Sequence, residues 1–114
     1  MGGSSSKPDG VYKKYDHYGG IKEQYVIKNG ILNGWNIKYW LNGSIKSRYY
    51  YVNGKLSEIG YEYDEYRRIT TKKIFRGGCV YKIYELIDGY VRIQYYSRNK
   101  LVRTESTDKT EIEP

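Results

Sequence analysis

The chain has 114 residues, a hydrophobic fraction of 39% and a formal net charge of +7. That length admits one domain with a modest core, and its apolar surface belongs mostly to residues with a polar tip: sixteen Tyr and two Trp against one Phe and one Met. Tyr suits a half-wet pleated surface, so the composition argues against a thick dry interior and for a thin sheet.

Residues 1–11, which begin MGGSSSKPDG, are rich in Gly and Ser, contain Pro8, and are expected to form no regular element. From 12 to 103 turn signals return at a steady interval: Gly19-Gly20, Asn29-Gly30, Asn42-Gly43, Asn53-Gly54, Asp64-Glu65, Gly77-Gly78, Asp88-Gly89 and Arg98-Asn99. Asn-Gly and Asp-Gly are favoured two-residue hairpin turns because both positions tolerate positive φ, and the spacing leaves room for strands of about 4–8 residues. Alternation supports this: Trp35, Ile37 and Tyr39 share a face against Asn36 and Lys38, as do Val91, Ile93 and Tyr95 against Arg92 and Gln94. Tyr49-Tyr50-Tyr51 places aromatics on both faces. The segment YEYDEYRRITTKKI comes nearest to a helical pattern, but its aromatic and β-branched content predicts strand. Both prolines, Pro8 and Pro114, lie outside the repeats and interrupt nothing. The expected fold is all-β, a repetitive antiparallel meander of about seven to nine strands forming an elongated twisted sheet. Residues 104–114, TESTDKTEIEP, form an acidic tail expected to fray.

The stretch from Tyr25 to Leu56, YVIKNGILNGWNIKYWLNGSIKSRYYYVNGKL, repeats one phrase three times: an aromatic or aliphatic run, Asn-Gly, then an aliphatic residue. Such recurrence, doubling to about 22–26 residues, marks a repeat array in which hairpins stack side by side. In these residues the chain resembles the MORN repeat, in the variant that reads Asn-Gly-Lys-Leu. The match is strongest over 25–61 and weakens afterwards, where Asp64-Glu65, Gly77-Gly78 and Arg98-Asn99 occupy turn slots without the signature glycine pattern. The resemblance implies hairpins serving as a non-enzymatic scaffold or membrane-proximal adaptor for a protein partner. The same variant resembles bacterial antitoxin-like protein-binding modules, which remain an alternative. A tandem pattern specifies architecture far better than function.

The inventory for catalysis is thin. His17, the single His, sits beside Tyr18, and the single Cys79 follows Gly77-Gly78 in a turn slot, so no nucleophile has an evident base. Asp64 and Glu65 are adjacent in a predicted turn, where solvation is their ordinary fate. No Gly-rich phosphate loop feeds a helix, and no ligand spacing suits a metal. The expectation is no enzyme, no cofactor, no metal and no small-molecule substrate.

The basic body favours anionic partners, whether lipid headgroups, nucleic acid or an acidic protein; guarding strands against aggregation explains the same charges. The candidate binding face comprises Trp35, Lys38, Tyr39, Lys46, Arg48, Tyr49 and Tyr51. Aromatics interleaved with cations suit single-stranded nucleic acid, yet cross-strand ladders account for them more simply, and no nucleic-acid module accompanies them. The start MGGSSS fits M-G-x-x-x-[ST], with Gly2 as the N-myristoylation acceptor and Ser6 in the favoured slot; it looks like the start of Src-family kinases. One acyl chain binds membranes marginally and needs a basic second element, which Lys13, Lys14, Lys22 and Lys28 would supply. The expected location is the cytoplasm or the cytoplasmic face of a membrane. The wealth of Tyr, Ile, Lys and Asn, whose codons are A/T-rich, together with the acylation signal fits a minor virion component of a large DNA virus.

Overall fold

The computed structural model describes residues 7–108 and Ile112; Gly2 lies outside the described residues. The chain forms strands β1 (Gly10–Tyr15), β2 (Ile21–Lys28), β3 (Ile31–Leu32), β4 (Gly34–Tyr39), β5 (Ile45–Val52), β6 (Lys55–Tyr63), β7 (Ile69–Arg76), β8 (Cys79–Ile87), β9 (Tyr90–Ser97) and β10 (Lys100–Thr107). They make one open antiparallel sheet in the order β1-β2-β4-β5-β6-β7-β8-β9-β10, with β3 a two-residue stub on β2. The sheet is a meander throughout, elongated to 49 × 37 × 18 Å.

Two kinds of turn alternate, one along each rim, and in the first part of the chain each recurs at an interval of 24 residues. On one rim Asn29-Gly30, Asn53-Gly54 and Gly77-Gly78 are two-residue turns with both residues at positive φ. On the other rim lie Asp16–Gly20, Trp40–Ser44 and Asp64–Arg68. In each, the first residue's N–H donates to the fifth carbonyl at 2.8–2.9 Å, and the fourth N–H returns to the first carbonyl at 2.9–3.2 Å. The fourth residue is left-handed: Gly19 at φ 86°, Gly43 at 88° and Arg67 at 69°. This is a three-residue hairpin loop closed by a left-handed residue. The two-residue reading therefore holds at Asn29-Gly30, Asn53-Gly54 and Asp88-Gly89 and fails at Asn42-Gly43, where only Gly43 has positive φ. There Asn42 caps the loop instead, its Oδ1 accepting from the Ser44 N–H at 2.9 Å and the Ser44 hydroxyl at 2.6 Å.

A second irregularity keeps the same period. Gly34 (φ 106°) and Glu58 (φ 60°) are left-handed just after the short turns, and β6 carries two more residues than β5 between the pairs Arg48↔Tyr61 and Tyr50↔Ser57. Such bulges sharpen the twist of the sheet.

The domain limits set at 12 and 103 both fall inside strands, since β1 begins at Gly10 and β10 runs to Thr107. Of the acidic tail, residues 104–108 and Ile112 are described. Ile112 is 3% exposed and packs with Tyr84, Val91 and Ile93, the best-buried cluster of the described residues. Its isoleucine is the one apolar residue in the tail, and burying it there removes its side chain from water.

Candidate functional site: the two faces of the sheet

Because side chains alternate along a strand, the pairing registers sort the molecule into two faces. One cross-strand row reads Glu23, Lys38, Ser47, Glu62, Thr71, Glu85, Arg92 and Ser106. The adjacent row, on the opposite face, reads Gln24, Ile37, Arg48, Tyr61, Lys72, Tyr84, Ile93 and Glu105. Carboxylates and cations mix on the first face. The second collects Lys13, Lys22, Lys46, Arg48, Lys72, Lys82 and Arg103 by the same parity, with Glu105 as its strand carboxylate.

On the cationic face, cations stand over aromatic rings. The Arg48 guanidinium is 5.1 Å from the Trp35 ring and 4.5 Å from the Tyr61 ring, and its Nε donates to the Tyr63 hydroxyl at 2.7 Å. Lys72 lies 4.4 Å from Tyr84, Lys82 lies 4.9 Å from Tyr95, and Lys46 lies 4.8 Å from Trp40. Each contact combines ring electrostatics with cover for the alkyl stem. Tyr61 and Tyr84 are both buried, Tyr84 in a cluster with Ile112, and a nucleobase seeking Tyr61 has to displace Arg48 from both Tyr61 and Tyr63. That favours the ladder over the stacking platform.

On the mixed face several polar groups are paired. Asn36 donates to Glu23 at 3.0 Å, and Lys14 stands 3.6 Å from the same carboxylate. The Asn36 bond, with Lys14 and Lys38 nearby, holds the Glu23 carboxyl below its ordinary range. Tyr49 donates a short hydrogen bond to Glu62, which also meets Lys73 at 3.5 Å. Burial, then the Glu62 carboxylate, push the Tyr49 hydroxyl far upward, so it stays a donor. The Tyr49 ring lies across Gly60, where an added Cβ would come 2.2 Å from Cδ1. Beside Tyr49 opens a hollow of about 320 Å³ lined by Tyr51, Leu56, Phe75, Val80 and Ile83, with Lys38 and Lys73 at its margin.

The candidate face drawn from sequence is thus split. Trp35 and Arg48 lie on the cationic face, with Tyr39 and Lys46 lining a shallow rim hollow beside Lys22 and His17. Lys38, Tyr49 and Tyr51 lie on the mixed face around the second hollow. Sequence reasoning pooled them because Tyr49-Tyr50-Tyr51 gives both faces an aromatic signal; strand parity alone separates Tyr49 from Arg48. It missed Arg76, Tyr81, Tyr95 and Arg103, because bulges at Tyr81 in β8 and Val102 in β10 set which side these cations and rings face. Cys79 is exposed, and Asp64 is a turn cap whose Oδ1 accepts the N–H groups of Tyr66 (2.8 Å) and Arg68 (3.0 Å). Among the described residues no three His, Cys, Asp or Glu side chains gather into a metal-binding group. No protein-family model, no curated protein and no solved structure matches this chain.

Proposed function

We propose that the protein is a non-enzymatic, MORN-like adaptor whose two faces do different work. The cationic face lies on an anionic membrane surface, and the mixed face offers the Tyr49 hollow to a protein partner. N-myristoylation at Gly2 supplies the second attachment that a basic surface needs. In a large DNA virus this is a minor virion component beside a membrane. The observation that carries the reading is the segregation of charge: Glu23, Glu62 and Glu85 share one face, while Lys13, Lys22, Lys46 and Arg48 share the other. Each cation brought near an anionic leaflet contributes about 1 kcal/mol, so a one-sided arrangement lets several act together.

The test is sedimentation of the acylated chain with anionic vesicles. Reversing Lys13, Lys22 and Lys46 to Glu should weaken attachment on the order of a hundredfold. Reversing Lys14, Lys38 and Lys73 changes net charge equally and should have a far smaller effect. Equal loss in both triple variants would show that bulk charge, not a face, drives binding. Gly2→Ala should release the protein from the same vesicles, and if it sediments like the wild type the acyl anchor is wrong.

A further inference from the structure

At the corner where β7 meets β8 and β9 meets β10, the two-residue turns leave a hollow of about 550 Å³. Arg76, Arg98 and Arg103 all line it, together with Tyr81 and Tyr95. Two of these guanidiniums are seated on rings: Arg76 is 3.8 Å from the Tyr81 centroid and Arg103 is 4.1 Å from the Tyr95 centroid. Lys82 stands between the same rings, 5.9 Å from Tyr81 and 4.9 Å from Tyr95. A ring beneath a guanidinium restrains its plane and leaves the in-plane N–H edges open to an acceptor.

The charge here is poorly matched from within. Glu105 is engaged by Arg103 at 3.4 Å and accepts from the Tyr95 hydroxyl at 2.9 Å. Among the described residues neither Arg76 nor Arg98 has a carboxylate within ion-pair distance. Three guanidiniums therefore line one concavity with a single carboxylate beside it, an excess larger than one negative charge neutralises. Arg98 is held at the mouth by its turn, where it is left-handed at φ 54°.

The geometry points to a binding site for a phosphate monoester. Its dianion matches the charge excess, and its terminal oxygens match the guanidinium forks in a way that a phosphodiester, with one charge and two blocked oxygens, does not. Val80, Val102 and the Tyr81 ring, also in the lining, face the body of the ester. Arg76, Tyr95 and Arg103 share parity with the cationic face, so the source is a lipid headgroup carrying a terminal phosphate; this assignment of source rests on the membrane reading above, whereas the monoester site does not.

The experiment has a soluble arm and a membrane arm. In the first, amide resonances of the full chain are followed as inorganic phosphate is titrated against chloride at equal ionic strength. Shifts confined to residues around 76–82 and 95–103 are expected, and Arg76→Met with Arg98→Met should abolish them. In the second, phosphatidylcholine vesicles carry either phosphatidylserine or phosphatidylinositol 4-phosphate at matched surface charge. The wild type should prefer the monoester lipid about tenfold. The double Met variant should lose that preference, its salt-sensitive attachment to phosphatidylserine weakening only as far as the loss of two charges requires. Lys at both positions keeps the charge but not the fork, and should restore only part of the preference. Phosphate shifts without any vesicle binding would uphold the site, assign it to a free phosphate ester and defeat the membrane reading. No phosphate-specific shift in the folded wild type, or an undiminished shift in the folded double variant, overturns the site.

Discussion

The sheet from β2 to β7 and the sheet from β8 to β10 are held together by different means. In the first region a 24-residue repeat supplies matched loops, matched bulges and rings laid on neighbouring strands. Tyr49 covers Gly60 and meets Phe75 edge-on at 6.0 Å, and Trp35 meets Tyr50 at 5.1 Å. In the second region the loop at residue 88 shortens to Asp88-Gly89, the left-handed bulge disappears, and Ile112 comes back over Tyr84, Val91 and Ile93. Val91 there reaches 0% exposure. A one-layer sheet has no second layer to bury its apolar rows, so it must cover them from within. The repeat does so with its own aromatics, and where the repeat lapses, Ile112 substitutes for them.

The sharpest way to break the first region is Gly60→Ala. The new methyl cannot coexist with the Tyr49 ring at 2.2 Å, so the ring must leave, and its bond to Glu62 goes with it. The expected cost is about 3 kcal/mol, read by denaturant unfolding. In a Tyr49→Ala background the same substitution should be nearly neutral, because the obstacle is already gone; an unchanged cost would mean that Gly60 matters for some reason other than the ring. The corresponding break in the second region is Ile112→Ala, expected to cost about 2 kcal/mol by deleting buried methyls. The two sites share no partners, so the double variant should be additive. Strong coupling would show that the regions are not held independently.

Much of the fold is legible because turns and alternation are local properties. Asn29-Gly30, Asn53-Gly54 and Asp88-Gly89 announce left-handed pairs, and the pairs occur there. Trp35, Ile37 and Tyr39 alternate with polar residues, and β4 forms over them, although Trp35 itself lies exposed. Asn42-Gly43 misleads because the same dipeptide serves a three-residue loop, and what distinguishes them is the hydrogen bond from Trp40 to Ser44 across the strand ends. Ile112 was illegible because nothing near it in sequence says which strands it will meet. The candidate site was half legible: composition shows cations and rings, but only the register around a bulge decides which side Arg103 and Tyr95 face.

Arg67 offers a finer comparison within the long turns. Gly19 and Gly43 take the left-handed position in two of them, and Arg67 takes it in the third at φ 69°. A side chain with a Cβ is disfavoured there by about 1 kcal/mol, so Arg67→Gly should stabilise the protein by roughly that amount. Gly43→Arg should destabilise it similarly, since no neighbour lies within 4 Å of an added Cβ and only the backbone term operates. If Arg67→Gly destabilises, Arg67 has a packing role in the turn that its exposed position does not reveal.

The same turn yields the smallest effect, and it depends on pH. Asp64 accepts the Arg68 and Tyr66 N–H groups and pairs with the Arg68 guanidinium at 2.8 Å. The Arg68 backbone bond leads these in holding its carboxyl below the ordinary range. A carboxyl depressed in the fold stabilises fully above its unfolded value, near 3.9, and that contribution fades as pH falls through the lower folded value. Asp64→Asn keeps one acceptor oxygen but no charge, so its contribution should not follow pH in this way. Unfolding curves of the two proteins should therefore differ at neutral pH and draw together below about pH 4. Added salt should narrow the neutral-pH gap too, because the Arg68 pair is solvent-exposed and screened. In the middle turn Trp40 stands where Asp64 stands here, and Asn42 caps the loop without a charge, so Asn42→Ala should weaken the protein equally at both pH values. A gap for Asp64→Asn that stays constant into acid would mean that the carboxylate acts only as a neutral acceptor, and the charged turn would then differ from the uncharged one in sequence alone.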